Sequence, residues 1–505
     1  MLALLLAGNG VDVSIYDSSE ASLGKAAENA EKSGLAARVH VCKDYDALCQ
    51  SLGGPKVFIF SLPNGRPGDA VVQQLQPYLT RGDIVIDGSN ENYQVTQSRQ
   101  AMLRPRGVAY IGMGISGGFI GARHGPSLMP GGDKWALEQV LPLLTKIAAK
   151  DDYGRPCVTK IGSGGSGHFV KMVHNGIEHG IMAAICEAWE LMDKCLHMDG
   201  EEIGSVFDSW CAEGELKGNF LVSISGPICR TKNQSNSGFL LHNIRDAVVQ
   251  DANDSEGTGV WANLEAVAAH IPAPSLSAAH YLRIASADVL QRCSINASLG
   301  SVSPGQIALA PGERSELLED LREAVYVAVL ACFVQGLNLL ERVNRREGWS
   351  IHVEQVIRIW RAGCIIKSDY IADLFDRSYA RDAGLHLLCR EDIVGEIKKC
   401  WPSLKTVVLK GLEADAHLPC LTATLEYLKY VGSTDLPTNF MEAQLDSFGA
   451  HGFDLKSEPV RHLSKGMSIT RPLTIVKLIS SFRKTPQRLV RYRRSFRSQA
   501  WKYKW

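Results

Sequence analysis

The 505-residue sequence contains no C-x-x-C pair and no paired cysteine spacing, and its thirteen cysteines are an odd number. A disulfide framework is therefore not expected, and a reducing, intracellular compartment is the simpler reading. No run of about 18 apolar residues stands out, so no membrane-spanning helix is expected. No repeat of 20–50 residues is obvious either. Net charge is absent too, with 54 basic against 54 acidic side chains, but that balance is uneven along the chain. Pro459–Trp505 holds thirteen Lys or Arg and no acid, which leaves the preceding residues with a net charge of −13. What remains is an ordinary globular composition, 45% apolar and 21% charged with 47 Gly and 20 Pro, which excludes disorder, collagen and a coiled-coil rod. The length suggests two or three domains.

Met1–Ala7 (MLALLLA) has the look of a signal peptide, but it lacks a cationic start and a small-x-small cleavage site. It runs straight into Gly8-Asn9-Gly10 and an apolar strand, Val11–Tyr16. A βαβ unit shows that order directly after its first strand, and neither that strand nor its G-x-G-x-x-G loop is in the sequence. Further β-rich segments at Arg38–Cys42, Lys56–Ser61, Asp83–Asp87 and Val108–Ile111 alternate with helix-like stretches such as Ser22–Ser33 and Gly68–Leu79. The expected fold is thus an α/β doubly wound (Rossmann-like) domain over residues 1–160, lacking its first strand. Helical periodicity then dominates at Phe169–Cys195, Ser275–Cys293, Arg314–Val343 and Ile351–Leu374. A large all-α domain is expected over 161–435, followed by a C-terminal segment, 436–505, that carries the basic tail.

Glycine clusters close the α/β part at Gly112–Gly118, Gly121–Gly132 and Gly162–Gly167. On their own they mark turns or close backbone approach. The next segment carries more. Lys171, His174, Asn175 and Glu178 stand at i, i+3, i+4 and i+7, on one face of a helix. The face is either a solvated polar stripe or an acid–base surface. Gly176 costs about 1 kcal/mol relative to Ala inside a helix, so its presence suggests that another element packs closely there. Lys171 and Glu178 are two turns apart, roughly 10.5 Å along the axis, a spacing that suits opposite ends of one short polyol.

Together, IDGSNENY (Ile86–Tyr93), GMGISGGFIGARHGPSLMPGG (Gly112–Gly132), GHFVKMVHNGIEHG (Gly167–Gly180), EGTGVW (Glu256–Trp261), IWRAGCIIKS (Ile359–Ser368) and FGAH (Phe448–His451) resemble the decarboxylating 6-phosphogluconate dehydrogenase family, over roughly residues 1–455. The resemblance implies a coenzyme domain, a helical domain, a cytoplasmic homodimer whose C-terminal segment reaches into the partner, NADP as coenzyme, and no metal. It implies oxidation of 6-phospho-D-gluconate to ribulose 5-phosphate and CO2. Lys171 would be the base at the 3-hydroxyl and Glu178 the acid at C1. Asn90, Ser116, Gly117, Gly118, His174, Asn175, Thr258, Arg283 and the partner chain's counterpart of His451 would hold the phosphorylated sugar acid.

This chain departs from the family at the phosphate end. His179, Glu256 and Leu445 stand where the family has Tyr, Lys and Arg, and His179 becomes a candidate phosphate ligand. At the coenzyme end, Asp17-Ser18-Ser19 replaces Asn-Arg-Thr, and Leu62-Pro63-Asn64 replaces Val-Lys-Ala; Asn90 adjoins both ligands. Asp17 either bonds a free ribose 2′-hydroxyl, which would allow NAD, or caps the following helix. The tail interleaves cations with Phe482, Tyr492, Phe496 and Trp501. It is read as an extension folded back on the acidic body or a mispredicted last exon, with no nucleic-acid or membrane partner expected.

Overall fold

The computed structural model describes residues 1–252, 257–300, 303–382, 384–449 and 451–456. Strands are β1 (Val13–Ile15), β2 (Val39–Val41), β3 (Val57–Phe60), β4 (Ile84–Asp87), β5 (Ala109–Ser116) and β6 (Ser127–Gly131). Between and around them run α1 (Leu2–Gly8), α2 (Glu20–Lys32), α3 (Tyr45–Gln50), α4 (Arg66–Leu75), α5 (Tyr93–Leu103), α6 (Gly118–His124) and α7 (Lys134–Ile147).

The strands form two groups. β1 pairs in parallel with β2, and a four-stranded sheet runs β3-β4-β5-β6, with β3, β4 and β5 parallel and β6 antiparallel. Among the described residues no strand hydrogen-bonds the two groups together. They share a core all the same. Ile84 and Ile86 of β4 point to one face, where Leu5 and Leu6 of α1 and Leu137 and Leu144 of α7 meet Val13, Val57 and Ile59. Val85 points to the other face, among Val72, Leu75 and Leu103. Alternating side chains of one buried strand thus serve two helical layers, as a doubly wound sheet requires.

The α/β part departs from expectation at β5 and β6. The strand expected to stop at Ile111 runs on to Ser116, and the SLMPG stretch of the Gly121–Gly132 cluster is a strand rather than a turn.

The rest of the chain is helical: α8 (Ser166–Glu190), α9 (Gly200–Ala212), α10 (Phe220–Arg230), α11 (Val249–Ala252), α12 (Thr258–Ala268), α13 (Pro274–Ala287), α14 (Val289–Leu299), α15 (Glu313–Glu347), α16 (Val353–Ile359), α17 (Asp369–Asp382), α18 (Glu391–Glu413), α19 (Pro419–Val431) and α20 (Thr438–Gly449). Two expected helices are broken. Asp288 ends α13 and caps α14 by accepting the Gln291 N–H at 2.9 Å. Residues 360–368 form a loop between α16 and α17. α15 is long and apolar enough to cross a membrane by length and composition, contrary to the sequence reading, but 94% of its apolar window is buried inside the protein, where it packs against α8 and α18. It is the core helix of this half.

Two compact units result, Met1–Lys429 and Tyr430–Trp505. The basic tail and Glu256 lie outside the described residues.

Candidate active site

α8 sets the site. Its first turn lies flat on the β5–β6 hairpin, so close that a Cβ on Gly167 would collide with the carbonyl oxygens of Gly112 and Met129. One turn on, a Cβ on Gly114 would lie 2.5 Å from Lys171 Cβ. The glycine clusters therefore serve close approach between helix and hairpin, and the Lys171 side chain occupies the space they leave. Gly176 does what its position suggested: a Cβ there would meet Ala262 of α12 at 3.1 Å.

The four polar residues of the face are not a solvated stripe. Lys171, His174 and Asn175 are buried, and only Glu178 is partly open, its side chain 21% exposed. Burial, reinforced by the positive charge of Lys171, holds the His174 imidazole well below its usual range, so the ring is neutral. Its bonds define the tautomer. Nδ1 lies 2.9 Å from Asn175 Oδ1 and Nε2 lies 2.8 Å from Ser116 Oγ. Asn175 gives its own Nδ2–H to Thr258 Oγ1 at 2.9 Å, with its Oδ1 turned toward His174. His174 thus donates from Nδ1 and accepts the Ser116 hydroxyl at Nε2. Glu178 Oε2 approaches Nδ1 at 3.6 Å. One chain of contacts runs from the end of β5 through α8 to the start of α12.

Ser116 also accepts the Ile365 N–H at 3.1 Å, which ties the 360–368 loop to the site. In that loop Cys364 Sγ lies 3.2 Å from His174 Nε2, and burial pushes its thiol up to about 12. The sequence reading did not single out Cys364, although it sits inside the IWRAGCIIKS block. Gly117 and Gly118, at φ 115° and 59°, turn the chain from β5 into α6 in a conformation other residues rarely adopt.

Asn90 is exposed at the carboxyl end of β4. Its neighbours are not: Ser89 Oγ accepts the Leu62 N–H at 2.9 Å, and Glu91 accepts the Gly65 N–H at 2.8 Å. The segment Leu62-Pro63-Asn64 is thereby strapped to the turn that carries Asn90. Asn64 reaches the other half of the molecule, where a Cβ on Gly257 would lie 3.0 Å from its Nδ2. At the end of β1, Asp17 accepts the Ser19 N–H at 2.8 Å, and Ser19, not Asp17, caps α2. Asp17, Ser18 and Ser19 are exposed, and none is cationic. A carboxylate beside two hydroxyls at a parallel-strand end fits the ribose of a dinucleotide.

At the phosphate end, Arg283 Nη1 lies 2.5 Å from His179 Nε2. Burial, then the charge of Arg283, lowers the His179 ring to about 3, so it is neutral. Arg283 also bonds Asp251 and Gln250, neither of which the sequence pattern picks out. His451 and Leu445 belong to the Tyr430–Trp505 unit; there Leu445 is half-buried and His451 exposed.

An α/β half of coenzyme-binding type, joined to a helical half that presents a buried Lys and a nearby Glu on one helix face, defines a dehydrogenase. Comparisons with known proteins narrow the class. Residues 1–162 match the NAD binding domain of 6-phosphogluconate dehydrogenase, and residues 167–466 match the 6-phosphogluconate dehydrogenase C-terminal domain. The decarboxylating 6-phosphogluconate dehydrogenase of Emericella nidulans is 42% identical over 474 residues, covering 91% of this chain and 95% of that protein. Decarboxylating 6-phosphogluconate dehydrogenase 2 of Arabidopsis thaliana is 34% identical, covering 90% and 92%. The solved 6-phosphogluconate dehydrogenase of Plasmodium falciparum, described in apo form and in complexes with NADP+ and with 6-phosphogluconate, superposes with a TM-score of 0.82 at 32% identity, covering 91% of this chain and 96% of that one. The chain belongs to the 6-phosphogluconate dehydrogenase family.

Proposed function

We propose that this protein oxidatively decarboxylates 6-phospho-D-gluconate to ribulose 5-phosphate and CO2 with NADP, as a step of the pentose phosphate pathway. The observation that carries the reading is the buried face of α8, where Lys171 is buried beside His174 and Asn175, these two are locked to Ser116 and Thr258, and Glu178 stands at the open end. NADP, when bound, accepts the hydride from C3.

Lys171 in its neutral form takes the proton of the 3-hydroxyl. The resulting ammonium then polarises the C3 ketone. The carboxylate is now β to a carbonyl and leaves as CO2, with its bonding electrons moving into an enediol. Glu178 delivers a proton to C1 of that enediol, which yields the ketopentose. Neutral His174, fixed in one tautomer, offers hydrogen bonds without competing for the proton. Asn90, Ser116, Gly117 and Gly118 face the sugar acid, while His179, Thr258 and Arg283 receive its phosphate. Asp17–Ser19 and Leu62–Asn64 line the coenzyme side.

In this reading residues 1–160 bind coenzyme, 161–435 bind substrate and dimerise, and 436–505 brings His451 to the partner's site. Exposed apolar side chains on α12, α13 and α14, among them Leu264, Val267, Tyr281, Leu290 and Leu299, support a homodimer that covers them. A cytoplasmic location goes with the thirteen free cysteines.

A second reading, a dehydrogenase for a sugar acid without phosphate, is favoured by the acid on Arg283. Steady-state assays of the full-length protein with 6-phosphogluconate and gluconate, each with NADP and NAD, test both. Turnover of 6-phosphogluconate with NADP at the highest kcat/KM is expected; turnover of gluconate alone would overturn the first reading in favour of the second.

A further inference from the structure

Beyond Glu178, the α8 face ends in a second group of hydrogen-bond donors. His179 is 5% exposed, and since its neutral ring accepts Arg283 at Nε2, Nδ1 carries the proton. That Nδ1–H is buried and has no hydrogen-bond partner among the described residues. A Cβ on Gly259 would stand 2.7 Å from His179 Nδ1 and 3.0 Å from His280 Nδ1, and the two imidazole rings are parallel with centroids 6.2 Å apart. Thr258 opens the 11-residue helix α12, whose N-terminal N–H groups carry partial positive charge. A guanidinium, an unsatisfied imidazole N–H and a helix N-terminus converge, a combination that suits an anion.

The guanidinium, however, already carries an anion from its own chain. Asp251 Oδ2 lies 2.9 Å from both Nε and Nη2 of Arg283, and Gln250 Oε1 is 3.1 Å from Nη2. The pair is shielded from water, with 13% and 5% side-chain exposure for Arg283 and Asp251. The Nε–Nη2 edge, one of the two guanidinium edges that can bind a phosphate through two parallel hydrogen bonds, is therefore covered by a carboxylate, while Nη1 on the other edge is already turned to His179. A phosphate cannot share that edge with Asp251 without placing two anions side by side in a poorly screened site.

We infer that Asp251 is an internal competitor for the substrate's phosphate: the phosphate binds by displacing Asp251 from Arg283, and Asp251 sets how strongly the site prefers phosphorylated over unphosphorylated sugar acids. This rests on the function proposed above. α11, the four-residue helix that ends one residue after Asp251, moves away from α13 as the phosphate enters.

Asp251→Asn, Asp251→Ser and Asp251→Glu in the full-length protein test it, through KM and kcat for 6-phosphogluconate and gluconate with NADP, and through calorimetric binding of 6-phosphogluconate. Asn and Ser are expected to lower both KM and Kd for 6-phosphogluconate roughly tenfold, with the change in KM rather than kcat and no change for gluconate. Glu is expected to restore the wild-type values. Unchanged or weaker 6-phosphogluconate binding in both neutral variants overturns the role of Asp251. If the wild type turns over neither substrate, the functional reading fails, and the binding comparison still decides Asp251. Absence of 6-phosphogluconate binding to wild type and variants alike overturns both.

Discussion

Ser116 Oγ and His174 Nε2 lie 2.8 Å apart, and this bond joins the end of β5 to the buried polar face of α8. The same hydroxyl oxygen accepts the Ile365 N–H, so it is both donor and acceptor in a buried place. Ser116→Ala leaves the Ile365 N–H without its partner, at about 1–3 kcal/mol when buried, and leaves the imidazole nitrogen with only the weaker Cys364 thiol. Activity is expected to fall roughly 10- to 100-fold in kcat/KM, since the loss acts on substrate positioning as well as on stability. Ser116→Thr, which keeps the hydroxyl, should recover part of it. Equal activity in wild type and Ser116→Ala would show that the bond is structural decoration.

Lys171→Met replaces the proposed base with an uncharged side chain of similar length in a space shaped for it by Gly114. The fold should survive and the dehydrogenase activity should drop by at least 10²-fold, the usual size of a general-base contribution. Glu178→Gln should lower kcat with a smaller effect on KM, because Glu178 is assigned to a step after hydride transfer. Retention of more than about a tenth of wild-type turnover in Lys171→Met contradicts the assignment of Lys171 as base.

The helix face was legible because α8 is long and regular, so the i, i+3, i+4, i+7 spacing translates directly into geometry. The close neighbour expected at Gly176 is Ala262 of α12. The rest depends on contacts remote in sequence. The second half of β5 and β6 were hidden because Gly114 and Gly131, which look like turn residues, instead make room for Lys171 and Gly167. The loop at 360–368 has the periodicity of a helix, but Gly363 takes φ 60° and its carbonyl accepts the Ser127 N–H from β6 at 2.8 Å, so tertiary pairing overrides local preference. Asp251 meets Arg283 across 32 residues, and nothing local in either segment announces it.

Arg99 is another residue whose importance only packing reveals. It is 2% exposed and bonds Asp87 at 3.1 Å, Glu91 at 3.0 Å, Asp69 at 2.8 Å and the Gly65 carbonyl at 2.8 Å. It therefore anchors both the turn after Leu62-Pro63-Asn64, the proposed coenzyme segment, and the turn bearing Asn90. Arg99→Met strands the buried carboxylates of Asp87 and Glu91, and removal of one partner from such a cluster costs about 3–5 kcal/mol. A clear drop in the urea midpoint is expected, with coenzyme affinity weakened at urea concentrations where the protein remains folded. A midpoint within error of wild type would mean that the carboxylates find other partners.

Glu187, on the far side of α8 from the first turn's hairpin contact, supplies a prediction about pH. It accepts the N–H groups of Cys420 at 2.6 Å and Leu421 at 2.9 Å, at the start of α19. Burial nevertheless pushes its carboxyl up to about 8, the two backbone bonds opposing that rise. An unfolded glutamate ionises near pH 4.3. Between that pH and about 8 the folded protein keeps a proton that the unfolded chain has released, so this group's contribution to stability declines as pH rises through the window. The slope is at most about 1.4 kcal/mol per pH unit. Glu187→Gln removes the titration, and it leaves one of the two N–H groups facing an amide NH2, at a cost of about 1–3 kcal/mol. The wild type should thus melt well above the variant at pH 5.5, and the gap should narrow at pH 6.5 and again at pH 7.5. A gap that stays constant over the three values would mean that Glu187 is ionised throughout, with the two backbone N–H groups and the α19 N-terminus outweighing its burial.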